Sequence, residues 1–133
     1  MVAESKISLE KTEVFLLEDG ILENHVKAMS HIEESDIWAI KKANLSLTNG
    51  KPYCILVTAG HLSSISKEAK ELTASKDFAQ NTIAKAILVD SLGHKIVGNL
   101  YVKLNKPYIK TKVFTSRELA IAWLQSQIRN KSD

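Results

Sequence analysis

A single cysteine, Cys54, occurs in the 133 residues, so the chain cannot close an internal disulfide and has no cysteine-rich zinc site. Arginine is almost as scarce: 16 of the 18 cations are lysine, and Arg117 and Arg129 are the exceptions. Reading base edges and phosphates favours the planar fork of arginine, so dedicated nucleic-acid binding is not expected. Apolar runs such as 53–57 and 86–89 fall far short of the ~20 residues of a membrane span. The start, Met1-Val2-Ala3-Glu4-Ser5-Lys6, lacks the apolar stretch of a signal peptide. A cytoplasmic protein is the expectation. There is no P-loop, no G-x-G-x-x-G and no G-x-S-x-G elbow, and no repeat, low-complexity tract or linker. Without a catalytic signature, an enzyme is not expected, nor is a cofactor.

What is present suits one globular domain. The chain is 44% hydrophobic and 25% charged, and this length buries about two-thirds of the surface its unfolded form exposes. The net charge of +3 is unevenly spread: residues 1–90 carry 10 basic and 13 acidic side chains, whereas residues 91–133 carry 8 and 2. A solvated lysine surface accounts for the basic third, and an acidic partner is the alternative.

The pattern along the chain alternates. Two β-prone runs, 12–17 and 21–27, flank Glu18-Asp19-Gly20 and predict a hairpin. Ile37, Ile40, Asn44 and Leu47 fall at helical spacing, with Lys41 and Lys42 expected to point away, and Glu33, Glu34 and Asp36 favour a helix start. Asn49-Gly50 and Pro52 end that helix, placed over 34–48. Residues 53–58 read as a strand buried on both faces, and 84–89 as a second one parallel and adjacent to it. Between them, 59–65 is a loop, Ser66 caps a helix carrying Ala69 and Leu72, and Ser75 caps a turn carrying Phe78.

The stretch 92–104 admits a helix or a hairpin turning at Gly98-Asn99. Burial of Leu92, Ile96, Leu100 and Leu104 on one helical stripe favours the helix, although Gly98 costs about 1 kcal/mol there. A short strand at 112–114 follows, then Thr115-Ser116-Arg117-Glu118 as a capping box. The last helix is expected to bury Leu119, Trp123 and Leu124 and to leave 130–133 as a polar tail. The sum is an α/β domain with an N-terminal hairpin and a parallel portion.

Candidate functional residues cluster at two places. His61 lies beyond the carboxyl end of a central parallel strand, where open α/β sheets place their sites. The hydroxyls of Ser63, Ser64 and Ser66 follow it, leading into Lys67 and Glu68 at a helix start, a position that suits an anion or a phosphate. Asp90, Ser91 and His94 gather an acid, a hydroxyl and an imidazole after the next strand, with a serine N-cap as the plainer reading. His25, His31, His61 and His94 have no metal-binding spacing.

Five segments carry a family resemblance: Asn49-Gly50-Lys51-Pro52-Tyr53, Ile65-Ser66-Lys67-Glu68-Ala69-Lys70-Glu71, 86–91, Gly98-Asn99-Leu100 with Leu104-Asn105-Lys106-Pro107, and Val113-Phe114-Thr115. Over residues 12–126 the chain resembles the STAS domain of bacterial anti-sigma-factor antagonists, and more closely the short SpoIIAA-like proteins common in Bacteroidetes. The resemblance implies a mixed sheet with helices mainly on one face, favours the helix at 92–104, and implies a protein partner at the second helix. The classical D-S-[ST]-G phosphoacceptor motif is not matched: its place is taken by Ser66-Lys67-Glu68-Ala69, and Asp90-Ser91-Leu92-Gly93 stands at the wrong junction.

Two functions are therefore expected. The first is a non-catalytic regulatory module docking a protein partner through the 59–70 face, with a homodimer left open. The alternative is a small-molecule or lipid-binding domain, as implied by the related CRAL-TRIO architecture, with a pocket near His61 and His94. An apolar pocket of several hundred Å3 would favour the latter, and a flat, filled core the former.

Overall fold

A computed structural model describes residues 5–132, with side chains to 130. The Asp19-Gly20 turn joins β2 (Thr12–Glu18) to β3 (Ile21–Val26) as an antiparallel pair, with Gly20 at φ 84°. A short β1 (Lys6–Ser8), not foreseen from the sequence, pairs with β2. Then follow β4 (His31–Ile32), α1 (Glu34–Leu47), β5 (Tyr53–Ala59), β6 (Ser64–Ile65), α2 (Lys67–Ala74), β7 (Thr82–Leu88), α3 (Leu92–Asn105), β8 (Lys110–Phe114) and α4 (Arg117–Ser132). The main sheet runs β1-β2-β3-β5-β7-β8, parallel from β3 onward, so the two apolar strands are adjacent and parallel as the pattern predicts.

Loop 59–65 is not wholly irregular: Ser64 and Ile65 pair with His31 and Ile32 in a two-stranded parallel ribbon. Two residues carry no periodicity, so only the distant partner strand creates this element. Gly60 is required where the chain leaves β5. A Cβ there would lie 2.7 Å from the backbone nitrogen of Ala28 and 2.9 Å from its Cα.

The sheet is covered unequally. On one face α4 seals Cys54, Leu56, Ala84 and Ala86 beneath Ala120 and Leu124. On the other, α1 packs Ala43 and Leu47 against Val14, Leu22, Tyr53 and Ile55, and its Ile37 and Ile40 meet Ala69 of α2 and Phe78. Three helices thus share one face and α4 takes the opposite one.

Several expectations change. Lys41 does not point away: it is buried, donates to the Gln80 carbonyl and to Thr82 Oγ1 at 3.2 Å, and lies 5.2 and 5.1 Å from the ring centroids of Tyr53 and Phe78. Its long stem follows the apolar face while strand-end oxygens receive the ammonium. β7 is fully buried only at Ala84 and Ala86, because its alternate residues meet incomplete cover. The final helix is capped by Ser116, whose hydroxyl accepts from the Leu119 amide at 3.2 Å, one residue later than expected. The helix docks through Ala120 and Leu124, both fully buried, which leaves Leu119 outward and 64% exposed. Helix α4 continues through 130–132, so most of the expected tail is helical, and residues 1–4 and 133 lie outside the described residues.

The segment 92–104 is helical, but its leucine stripe is not buried: Leu92, Ile96, Leu100 and Leu104 are all exposed, Leu100 at 53%. The more sheltered face carries Lys95, Gly98, Tyr101, Val102 and Asn105 instead. Gly98 explains the rotation. A Cβ there would fall 3.0 and 3.1 Å from the methyl carbons of Val113, so the helix uses its glycine to approach β8 closely.

Leu100→Ala should consequently change stability by no more than about 0.5–1 kcal/mol, since little buried area is lost. Gly60→Ala should cost about 1–3 kcal/mol through collision with a backbone that cannot yield. Urea unfolding of both variants checks the contrast, which reverses if the stripe is a core.

Candidate functional site

Because α3 rests on β8 through its glycine, the β7 half of this face is not filled. A cavity of about 400 Å3 remains, floored by Ile55 and Val57 of β5 and by Lys85 and Ile87 of β7. Ile37 and Ile40 of α1, Thr73 of α2, and Val97 and Tyr101 of α3 close it laterally. The hydroxyls of Thr73 and Tyr101 lie 3.3 Å apart and join α2 to α3 across one wall.

The polar groups in this space differ in how well they are satisfied. Asn24 and Asn44 bond reciprocally, Nδ2 to Oδ1 at 2.8 and 3.2 Å, so two amides facing an apolar cavity neutralise each other's demand. Lys85 has no such partner among the described residues. Burial, reinforced by the positive charge of Lys41, pushes its ammonium down to about 8 from an ordinary 10.5. No carboxylate lines the cavity among the described residues.

A second, more polar cleft opens at the carboxyl end of β5 and β7, lined by His61, Asp90, His94 and Arg117. Asp90 Oδ1 and His94 Nδ1 are 2.7 Å apart, both largely exposed, and this hydrogen bond holds the Asp90 carboxyl below its usual range. Ser91 is the N-cap of α3, its hydroxyl accepting from the His94 amide at 3.1 Å. Behind the cleft, the Arg117 guanidinium donates to Glu23, at 2.6 Å to Oε1 and 3.4 Å to Oε2. The Thr58 hydroxyl donates to Glu23 Oε2 at 2.7 Å and lies 2.8 Å from His25 Nδ1. Burial pushes the Glu23 carboxyl up, but the bonds from Arg117 and Thr58 outweigh it and leave the group below its ordinary value.

The residues singled out from sequence are thus divided. His61, Asp90 and His94 share the polar cleft, as expected of the strand ends. Ser63 stands on the wall between the two depressions, its hydroxyl donating to the Gly60 carbonyl at 2.9 Å. Ser64 lines the cavity and bonds His31 Nδ1 at 2.8 Å. Ser66 caps α2, accepting from the Ala69 amide at 3.1 Å, while Lys67 and Glu68 are exposed and line neither depression. The pocket near His61 and His94 is the polar one, and the apolar cavity lies on the other side of Ser63.

Sequence reasoning missed Lys85, Tyr101, Thr73 and the Asn24–Asn44 pair. The available signal was Lys85 itself, a cation inside a run read as a buried strand. Among the described residues, no three His, Cys, Asp or Glu side chains converge to hold a metal, and no helix is long and apolar enough to cross a membrane.

The model of a domain of unknown function, DUF7793, matches residues 15–128. Among solved structures, the chain is similar to an uncharacterized protein of the DUF3478 family with a SpoIIAA-like fold from Shewanella loihica PV-4. The TM-score is 0.54 at 15% identity, covering 89% of this chain and 98% of that one. The likeness establishes a SpoIIAA-like fold, as the sequence resemblance implied, but no activity. No curated protein matches.

Arg117→Ala should destabilise by about 1–3 kcal/mol, towards the low end because the guanidinium is half exposed and Thr58 still serves the stranded Glu23. The Glu23 carboxyl is depressed, so the stability from this pair is present above the unfolded carboxyl value and lost as pH falls through the folded one. The gap between variant and wild type should therefore narrow in acid, measured by urea unfolding at pH 7 and below pH 4.

Proposed function

The chain belongs to the DUF7793 family, and we propose that it is a non-catalytic binding domain holding an apolar small molecule between the sheet and α1, α2 and α3. The cavity of about 400 Å3 carries this reading. Its volume lies within the ~300–1,000 Å3 usual for small-molecule sites, and its walls are chiefly aliphatic and aromatic with a few polar groups. An apolar occupant gains from burying its surface against the aliphatic part of these walls. The competing expectation of a flat, filled face is not favoured by this geometry.

The regulatory reading keeps a place beside it. Ser63 and Ser64, part of the surface expected to dock a protein, also line the cavity. An occupant would therefore press on the turn that a partner would read, making the domain a ligand-responsive interaction module. Lys67 and Glu68 at the start of α2 argue against a phosphoserine switch of the classical kind.

Protein purified from its native cell, denatured and extracted for mass spectrometry, should release an apolar compound near one equivalent. The variant Ile87→Trp, which fills the cavity floor, should release none while keeping its circular dichroism spectrum. Equal recovery from both proteins, or none from wild type, contradicts the proposal.

A further inference from the structure

Three lysines elsewhere in the fold, Lys11, Lys27 and Lys41, find oxygen partners. Lys11 donates to the His31 carbonyl at 2.8 Å and to Asp36 at 2.9 Å, Lys27 to the Leu9 carbonyl at 2.8 Å, and Lys41 to two oxygens near the start of β7. Lys85 stands in the middle of β7, a strand flanked on both sides, and has no charged or hydrogen-bonded partner among the described residues. Its neighbours across the sheet are Ile55 on β5 and Thr111 on β8, neither of which carries charge. The Lys85 side chain thus lines an apolar cavity that offers it no carboxylate among the described residues.

We propose that the ligand of this cavity is an amphipathic monocarboxylate, its carboxylate paired with the Lys85 ammonium and its hydrocarbon chain lying among Ile37, Ile40, Val57 and Ile87. The inference rests on reading the cavity as a binding site. A partly buried cation without a counter-ion is costly, and an incoming anion offsets that cost at the moment of binding. The charges around the space select the sign: Lys70 also lines it, Lys41 packs nearby, and no Asp or Glu lines it among the described residues. A phosphate, with about −1.5 to −2 charges and three acceptor oxygens, calls for more donors than the lining frees, because the Asn24 and Asn44 amides are bonded to each other.

The depressed lysine adds a pH dependence with a definite sign. The titratable and charged groups facing Lys85 are Lys41 from α1, Lys70 from α2 and Tyr101 from α3. With its folded value near 8 against 10.5 unfolded, Lys85 weakens the empty protein below pH 8, and this penalty is released as pH rises through 8 towards 10.5. The same deprotonation removes the attraction for a carboxylate.

The test uses the 133-residue chain, as wild type and as Lys85→Met, titrated calorimetrically with decanoate and with decanol, and Lys67→Met as a control outside the cavity. Wild type and the control should prefer decanoate by at least about tenfold, as expected for a hydrogen bond to a charged group. That preference should decline above pH 8. Lys85→Met should bind both compounds alike, with its affinity for decanol kept, and should melt higher than empty wild type at pH 7. If wild type binds both equally, or Lys85→Met keeps the preference, the anchoring role is wrong while the cavity remains a binding site. If neither protein binds either compound, the binding site itself is refuted and the inference falls with it.

Discussion

Strand β5 must be kept from water on both faces, and the rest of the architecture answers to that requirement. Tyr53, Cys54, Ile55 and Leu56 are all buried, so the strand needs a helix above and another below. Below, small residues on β7 let α4 sit close, and Ala84 and Ala86 disappear under Ala120 and Leu124. Above, α1 covers the β2–β3–β5 half, and the helix that could cover the other half is held by a glycine at the outer strand. The cavity is what remains when one face of a sheet is sealed by close contact and the other is spanned.

This division also explains which polar residues tolerate burial. Glu23 lies on the sealed side and is bonded by Arg117 and Thr58, tying the first turn of α4 to the second strand of the hairpin. Asn24, the next residue, faces the opposite way and is matched by Asn44 from α1. Adjacent residues on one strand thus solve the same desolvation problem on opposite faces with different chemistry, a charge pair on one and a neutral amide pair on the other. Lys85 meets that problem on the spanned side without a partner among the described residues.

Strands and helices were legible in the sequence where a regular period met a turn signal. The Asp19-Gly20 hairpin, the Asn49-Gly50 stop and the serine caps at Ser66, Ser75 and Ser91 all appear in the fold. The ribbon of β4 and β6 was not legible, because two-residue strands exist only through partners 33 residues apart. The helix at 92–105 was legible as a helix but not in its orientation. Periodicity reports that Leu92, Ile96, Leu100 and Leu104 share a side, but not that a close glycine contact would bind more firmly than a leucine stripe. Of the candidate site, the strand-end cleft with His61 and His94 followed from topology, whereas the cavity arises from packing between elements that no local pattern encodes.

The sheet order carries one more consequence. Its two rims are β1, three residues long, and β8, where Lys110 and Lys112 are exposed. Short or lysine-bearing rim strands are poor templates for a further strand, since a neighbouring chain would find too few backbone groups on one side and fixed positive charges on the other. Self-association by extending the sheet, and the fibrous aggregation that begins the same way, is therefore discouraged at both ends of the molecule.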